Sequence, residues 1–244
     1  MTPCLYPSQA HHPVVLLHGN LGGAEDWAGC LSAWDGTGLD CRAADLWSLP
    51  KSARRSLETA GLALTETAPQ GAILVGYSLG GRLALHAFAA EPQKWRALIL
   101  LSVHPGLKHE KERARRLAAD RMWASRCLRL APADFITLWN RQPALRNSGA
   151  GPRPHYDPRM VAPAFDAWSL GRQRDFRPLL HSLPVPLLWL VGERDEKFRA
   201  LARECRPDAA VEVPGAGHRL LEESPARTAQ LIAEFILSIS CSKN

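Results

Sequence analysis

Short apolar runs recur along the chain and alternate with longer stretches that mix apolar and polar residues. The runs at 72–75, 98–101 and 187–191 are apolar nearly throughout, and two further runs lie at 14–17 and 211–213. Continuous apolar runs are typical of strands covered on both faces, as in a mostly parallel sheet. Helices are predicted in the intervals, at residues 52–67, 80–90, 196–204 and 225–239. This alternation of strands and helices predicts a doubly wound α/β fold.

One long interval departs from the alternation. Residues 104–182 contain helical patterns at 110–126 and 132–140 and a stretch rich in Pro, Gly and Arg at 149–163, but no convincing strand. An insertion between two strands leaves the sheet intact and places side chains over the strand ends where α/β folds bind ligands. We therefore expect residues 1–103 and 183–244 to form an α/β core and residues 104–182 to form a helical cap.

The composition excludes several classes of protein. A hydrophobic fraction of 46% and a charged fraction of 22% are ordinary for a globular protein. The six cysteines show neither metal-ligand nor disulfide-framework spacing, and no window holds the roughly 20 apolar residues of a membrane-spanning helix. The start of the chain also lacks the pattern of a secretory signal. We therefore expect a cytoplasmic protein with no metal, no organic cofactor and no membrane association.

The net charge of +6 is unevenly distributed. The predicted cap holds 15 Lys and Arg residues against 7 Asp and Glu residues, so the middle of the chain is its basic part. No basic run with interleaved aromatic residues accompanies this charge, and no recognition-helix signature lies beside it. The sequence therefore does not predict nucleic-acid binding, and it leaves the oligomeric state open.

A nucleophile motif follows one of the predicted strands. The segment Gly76-Tyr77-Ser78-Leu79-Gly80 lies between a strand and a helix, which is the context that a G-x-S-x-G elbow requires. Such an elbow predicts the α/β-hydrolase fold with Ser78 as the nucleophile. In this fold an acid and a histidine follow the serine in that order, and Asp195 and His218 come directly after two later strands. Glu193 is an alternative to Asp195 as the carboxylate that orients the histidine.

Two backbone N–H groups are predicted to hold a developing oxyanion. Leu79 supplies the group that follows the nucleophile, and the loop after the first strand supplies the other. In that loop, His18-Gly-Asn-Leu-Gly-Gly, Asn20 is the expected donor and Leu21 is the alternative. His18 itself is interpreted as a structural residue of the turn.

Seven segments carry a resemblance beyond the fold, and they are His18–Gly23, Gly76–Arg82, His104–Lys108, Glu112–Arg113, Asp120–Ala124, Trp139–Pro143 and Gly192–Phe198. The first two are common to the superfamily, whereas the Pro-Gly-Leu segment, the Gln-Pro after a Trp and Gly192–Phe198 form a narrower pattern. Together they resemble the 2-succinyl-6-hydroxy-2,4-cyclohexadiene-1-carboxylate synthases of menaquinone biosynthesis, and the resemblance runs through most of the chain. It implies that the activated serine acts as a base that removes a proton and triggers the elimination of pyruvate from a polyanionic cyclohexene. No acyl-enzyme is then needed.

The resemblance also implies which side chains bind the substrate. By matching motif positions, Arg82, Arg113 and Lys197 are the expected anion-binding residues, since guanidinium groups hold carboxylates bidentately. The same matching places Tyr77 and Trp139 on the pocket wall. Helical periodicity directs the neighbours Arg115 and Arg116 elsewhere, and we expect them at the surface.

The chain departs from the family pattern in two places. The loop Ala44–Pro50 lacks the Asp-Leu-Pro-Gly-His-Gly run that usually follows the second strand, and the second half of the cap is rich in proline. There the family has another substrate-binding arginine, a position that Arg153 or Arg159 could fill. Two other functions stay open, a carboxylesterase that works through an acyl-enzyme on Ser78 and a non-catalytic protein that only binds a ligand in the cleft.

Overall fold

The computed structural model describes residues 12–145 and 156–241, and six of its segments pair into one sheet. The order across the sheet is β2-β1-β3-β4-β5-β6, and every neighbouring pair is parallel. The strands are β1 Val14–Leu17, β2 Cys41–Ala44, β3 Ala72–Tyr77, β4 Trp95–Leu101, β5 Leu187–Gly192 and β6 Ala210–Val213. The prediction of a mostly parallel sheet in an α/β fold is thereby confirmed.

The five predicted apolar runs are β1, β3, β4, β5 and β6. Every residue of β1, β3 and β5 is buried, because helices cover both faces of the sheet there. Strand β2 was not among the predicted runs. Its residues are half-buried or exposed at the edge of the sheet, so the sequence Cys-Arg-Ala-Ala carries no apolar run that could reveal it.

Helices connect the strands and form the cap. In the described residues they are α1 Ala28–Ala33, α2 Leu57–Thr67, α3 Leu79–Ala90, α4 Glu110–Arg129, α5 Pro132–Asn140, α6 Pro158–Ala167, α7 Arg177–His181, α8 Glu196–Cys205, α9 Leu220–Glu223 and α10 Pro225–Cys241. None of these helices combines the length and the apolar character needed to cross a membrane.

Two apolar layers enclose the sheet. Residues of α2, α3 and α8, among them Leu57, Leu83 and Ala202, pack on one face. Residues of α1 and α10, among them Cys30 and Ile232, pack on the other face. Helices α2 and α3 approach closely at Gly61, where a Cβ atom would lie 2.7 Å from the backbone of α3. This double layer is what holds the carboxyl ends of the strands in a fixed arrangement.

The segment between β4 and β5 contains α4 to α7. Helices α4, α5 and α6 share a small apolar cluster that includes Phe135, Trp139 and Phe165. Helix α6 was not predicted, because Pro158 and Pro163 make its sequence look like a loop. The helix forms because Asp157 caps it, accepting from the Arg159 N–H at 2.8 Å, and Pro158 stands at the start, where no N–H is needed.

The loop after β2 connects the core to the cap. Trp47 stacks on Trp168, with ring centroids 5.8 Å apart, and its Nε1 donates to the Gly22 carbonyl at 2.7 Å. Trp168 in turn donates from Nε1 to the Ser56 carbonyl. This loop is one of the two places where the sequence departs from the family that it resembles. In this chain the loop contributes Trp47 to the stacked pair.

Candidate functional site

Ser78 stands at a sharp turn between β3 and α3. Its backbone has φ 50° and ψ −106°, an unfavourable conformation for a residue with a side chain. Glycines flank it because space is lacking: a Cβ atom at Gly80 would lie 2.4 Å from the Leu17 carbonyl oxygen, and one at Gly76 would lie 2.5 Å from the Gly81 Cα. The turn therefore directs the Ser78 hydroxyl into the cavity at the strand ends.

A histidine and an aspartate complete a hydrogen-bonded series with this serine. His218 Nε2 lies 3.2 Å from Ser78 Oγ, and His218 Nδ1 lies 2.7 Å from Asp195 Oδ2. Both partners are buried, with 6% of Asp195 and 5% of His218 exposed. Glu193, the alternative acid, instead accepts from the Gly215 N–H at 2.7 Å. With Asp195 holding the proton on Nδ1, the Nε2 lone pair faces the serine hydroxyl and can accept its proton.

Asn20 and Leu79 both line the cavity beside Ser78. Leu79 is the first residue of α3, so its N–H has no acceptor within the helix. The Leu21 N–H, the alternative donor, bonds to Asn20 Oδ1 at 3.1 Å. His18 uses both ring nitrogens on the backbone: Nε2 accepts from the Leu46 N–H at 3.0 Å and Nδ1 donates to the Gly19 carbonyl at 2.8 Å. It ties the loops after β1 and β2 together.

The cavity has a volume of about 150 Å³, and most of the predicted site residues line it. Tyr77, Arg82, Trp139 and Lys197 all line it. Arg113 is not among the described residues that line the cavity, whereas Arg116 of the same helix is. The anion-binding role expected for Arg113 stays a prediction, and Arg116, expected at the surface, is the arginine of this helix that lines the cavity.

Helix α4, which carries both arginines, packs closely against Gly171. The backbone of α4 at Arg113 lies against Gly171, where a Cβ atom would come within 2.4 Å of the Arg113 carbonyl oxygen. Helix α4 is therefore closely packed against the chain here, and Arg116, three residues after Arg113, lines the cavity. Arg116 Nε is held by both oxygens of the buried Asp120, at 2.9 and 2.8 Å, and Ser169 Oγ donates to the same carboxylate at 2.7 Å.

Arg82, Arg116 and Lys197 are three of the cationic side chains that line the cavity next to the triad. Arg82 is buried, and its Nη1 donates only to neutral acceptors, the Trp168 carbonyl at 2.8 Å and Gln173 Oε1 at 3.4 Å. Burial and then the neighbouring Arg116 lower the pKa of Arg82 to about 9. The same two causes lower the pKa of Lys197. Arg82 therefore stays charged at neutral pH, and a bound anion would offset the burial of both groups and their repulsion by Arg116.

Two acidic side chains also line the cavity. Burial raises the pKa of Asp26 and of Glu222, both of which line the cavity. Arg219 lines the cavity too, and its Nη2 donates to Asn140 Oδ1 at 2.5 Å. The cavity therefore carries charged side chains of both signs.

The two further arginine candidates do not add to the described cavity. Arg159 is exposed at the start of α6. Arg153 lies outside the described residues. The charged and polar side chains of the cavity that sequence reasoning missed include Arg116, Ser102, His104, Arg219, Asp26 and Glu222. Of these, only His104 carried a signal, because it opens one of the segments with the narrower family pattern.

Comparisons with known proteins agree with this architecture. The chain matches the model of the alpha/beta hydrolase family over residues 14–231. The 2-succinyl-6-hydroxy-2,4-cyclohexadiene-1-carboxylate synthase of Escherichia coli O1:K1 / APEC is 36% identical over 171 residues, which cover 67% of this chain and 67% of the relative. The enzyme of the same name from Salmonella heidelberg (strain SL476) is 35% identical over 170 residues, with the same coverage of both chains.

Solved structures extend the agreement to nearly the whole chain. MenH from S. aureus superposes with a TM-score of 0.83 at 21% identity and covers 96% of this chain and 97% of its own. A thermophilic esterase from Thermogutta terrifontis gives a TM-score of 0.73 at 22% identity, with coverage of 95% and 92%. At these identities the likeness shows a shared fold alone.

Proposed function

This chain belongs to the alpha/beta hydrolase family, and we propose that it is a lyase that eliminates pyruvate from a polyanionic cyclohexene carboxylate in menaquinone biosynthesis. Relatives at 36% identity carry the name 2-succinyl-6-hydroxy-2,4-cyclohexadiene-1-carboxylate synthase, which names the expected product. The substrate is a small molecule, and the reaction uses neither a metal nor an organic cofactor. We place the enzyme in the cytoplasm, and residues 104–182 act as the cap over its site.

The observation that carries this proposal is the cationic cluster of Arg82, Arg116 and Lys197 beside the triad. Three positive charges around one small cavity suit a substrate with several carboxylates, because each guanidinium can hold one carboxylate through two hydrogen bonds. The lowered pKa values of Arg82 and Lys197 reflect positive charge that the protein itself leaves uncompensated. A neutral ester gains little from such a site.

The triad supplies the base for the elimination. His218 Nε2 takes the proton of Ser78 Oγ, and the oxygen removes a proton from a ring carbon of the substrate. The released electron pair forms a ring double bond and breaks the bond from the ring to the enolpyruvyl oxygen. The departing enolate accepts the proton from His218 and becomes pyruvate, which leaves Ser78 and His218 as they began. The N–H groups of Asn20 and Leu79 hold the oxygen that becomes negative during proton removal.

A serine carboxylesterase is the second candidate, because the 3.2 Å contact between Ser78 Oγ and His218 Nε2 equally suits attack on an ester carbonyl. The two functions are separated by the kcat/KM of the purified enzyme on two substrates. We expect pyruvate release from the cyclohexene substrate, generated in situ, to exceed cleavage of a short-chain nitrophenyl ester by several orders of magnitude. Ester cleavage at the higher kcat/KM, without pyruvate release, would assign the protein to the hydrolases.

A further inference from the structure

Two uncharged polar side chains at the end of β4 line the same cavity as the triad. They are Ser102 and His104, which follow Leu101, the last residue of the strand. Because β4 lies between β3 and β5, this wall of the cavity stands between the nucleophile Ser78 and the acid Asp195. The elimination described above uses neither of the two side chains.

Ser102 holds an unpartnered hydroxyl at this wall. The residue is fully buried, and Ser102 Oγ has no hydrogen-bond partner among the described residues. Its N–H donates to the Leu190 carbonyl at 2.9 Å, so the backbone is held in place. A buried hydroxyl without a partner destabilises a folded protein, because it has lost its hydrogen bonds to water. At the wall of a ligand cavity, a bound oxygen can restore the missing hydrogen bond.

His104 presents a second donor with a defined proton position. Its Nδ1 accepts from the Gly106 N–H at 3.1 Å, so the proton of the neutral ring is on Nε2. Its carbonyl oxygen accepts from Gln173 Nε2 at 2.9 Å, which holds the residue against the cap. Because Nδ1 already accepts from the backbone, the Nε2–H is the group of the ring that can donate to a ligand.

Burial and the surrounding positive charges keep the His104 ring neutral. Burial first, and then Lys197, Arg82, Arg116 and Arg177, lower the pKa of His104 to about 2. The ring therefore stays uncharged throughout the physiological range, next to the cationic cluster. Carboxylates are drawn to that cluster, where each gains a charge-assisted bond. The neutral pair is left for an oxygen that carries no charge, and a hydroxyl suits it because Nε2–H can donate to it while Ser102 Oγ accepts from it.

We propose that Ser102 and His104 form an uncharged hydrogen-bonding subsite that binds a hydroxyl group of the substrate beside the cationic cluster. The choice of ligand rests on the proposed function, whose product name contains one hydroxyl group, on ring position 6. Ser102 and His104 are then specificity-determining residues that position the ring for proton removal by Ser78.

A pair of ligands that differ in this hydroxyl tests the proposal without turnover. The first is the product, 2-succinyl-6-hydroxy-2,4-cyclohexadiene-1-carboxylate. The second is 2-succinylbenzoate, which results from loss of water and keeps both carboxylates and the ketone. Calorimetric titration of the wild type is expected to give about tenfold tighter binding of the hydroxylated ligand, since a site with buried polar groups rejects an analogue that leaves them unpaired.

Two substitutions of His104 separate ligand binding from a structural role. In His104→Asn, Oδ1 can still accept from the Gly106 N–H, but the amide nitrogen does not reach the place of Nε2. In His104→Gln, the amide nitrogen reaches that place, but the acceptor for Gly106 is lost. We expect His104→Asn to lose about tenfold in affinity for the hydroxylated ligand only, and His104→Gln to keep most of it. A residue that only supports the loop gives the reverse order.

Ser102 offers a matched pair of its own. Ser102→Ala and Ser102→Gly both remove the hydroxyl, and only glycine relieves the left-handed backbone at φ 49°. Both variants are expected to lose affinity for the hydroxylated ligand equally, by about tenfold, while their melting temperatures differ. Equal losses for both ligands, no preference in the wild type, or no binding of either ligand would each overturn the subsite. Absent pyruvate release with an intact hydroxyl preference would instead overturn only the proposed function.

Discussion

Arg113 and Arg116 lie one turn apart on α4, yet only Arg116 reaches the cavity. The motifs of the sequence predicted Ser78, Asp195 and His218 because each lies at the end of a strand, where the fold fixes its position. A helix of the cap has no such constraint, since its rotation depends on contacts such as that between the α4 backbone and Gly171. Periodicity alone could not decide which of the two arginines faces the substrate.

Substitution of the two arginines tests this assignment. Arg116→Gln should lower kcat/KM for the anionic substrate by about 100-fold, because a charge-assisted pair contributes about 1.5–3 kcal/mol. Arg113→Gln is the matched control and should stay within about twofold of the wild type. Arg116→Lys keeps a charge near Asp120 but loses the fork, so it should fall between them. An equal loss in Arg113→Gln and Arg116→Gln would contradict the observed orientation of α4.

The charge of Lys197 gives the site an alkaline limit. Burial and Arg116 lower the pKa of Lys197 below that of a free lysine, so it loses its proton at a lower pH than usual. Anion affinity should therefore fall as the pH rises through this pKa, and KM should increase. Lys197→Arg should keep KM low to a higher pH, because a guanidinium stays protonated. Identical pH profiles of KM for wild type and Lys197→Arg would exclude Lys197 from anion binding.

At the scale of elements, the core was predictable and the cap only in part. The buried strands and the helices between them follow from apolar runs that tertiary packing reinforces. Strand β2 escaped prediction because an edge strand needs no apolar run, and α6 escaped because its two prolines resemble a loop signal. The stacking of Trp47 on Trp168 joins parts of the chain that are 121 positions apart, and no local pattern contains that information.

This stacked pair should support both stability and substrate binding. Trp47→Ala removes a half-buried ring from Trp168, and we expect a loss of about 2 kcal/mol in the free energy of unfolding. Because the Trp168 carbonyl holds Arg82 at 2.8 Å, KM should also rise. Trp47→Phe keeps a ring on Trp168 and should lose less than about 1 kcal/mol. Urea unfolding measures the stability of both variants. Wild-type stability in Trp47→Ala would show that the loop does not hold the cap.

At the scale of the whole molecule, buried neutral histidines couple folding to pH. Burial lowers the pKa of His86 to about 4, and burial with the surrounding cations lowers that of His104 to about 2. In the unfolded chain a histidine has a pKa of about 6.5. Below that pH the unfolded state binds protons that the folded state does not, so these histidines make the protein less stable as the pH falls.

The contribution of His86 can be isolated by difference. Between pH 6 and pH 5, wild-type stability should fall more steeply than that of His86→Gln, by up to about 1.4 kcal/mol per pH unit. Urea unfolding at three pH values within this window measures the slope, and the subtraction removes the opposing effect of Asp26 and Glu222. Parallel pH dependences of the two proteins would mean that His86 titrates alike in the folded and unfolded states.

In the proposed function, Ser78 acts as the base of a pyruvate elimination. The most direct measurement is the rate of pyruvate release from the cyclohexene substrate by the wild type and by Ser78→Ala, assayed side by side. We expect a wild-type kcat/KM of about 10⁴ M⁻¹s⁻¹ or more and a loss on the order of 10³-fold or more in the variant. Pyruvate release that persists in Ser78→Ala would contradict the proposed role of Ser78. A wild type that cleaves nitrophenyl esters through Ser78 but releases no pyruvate would contradict the proposed function.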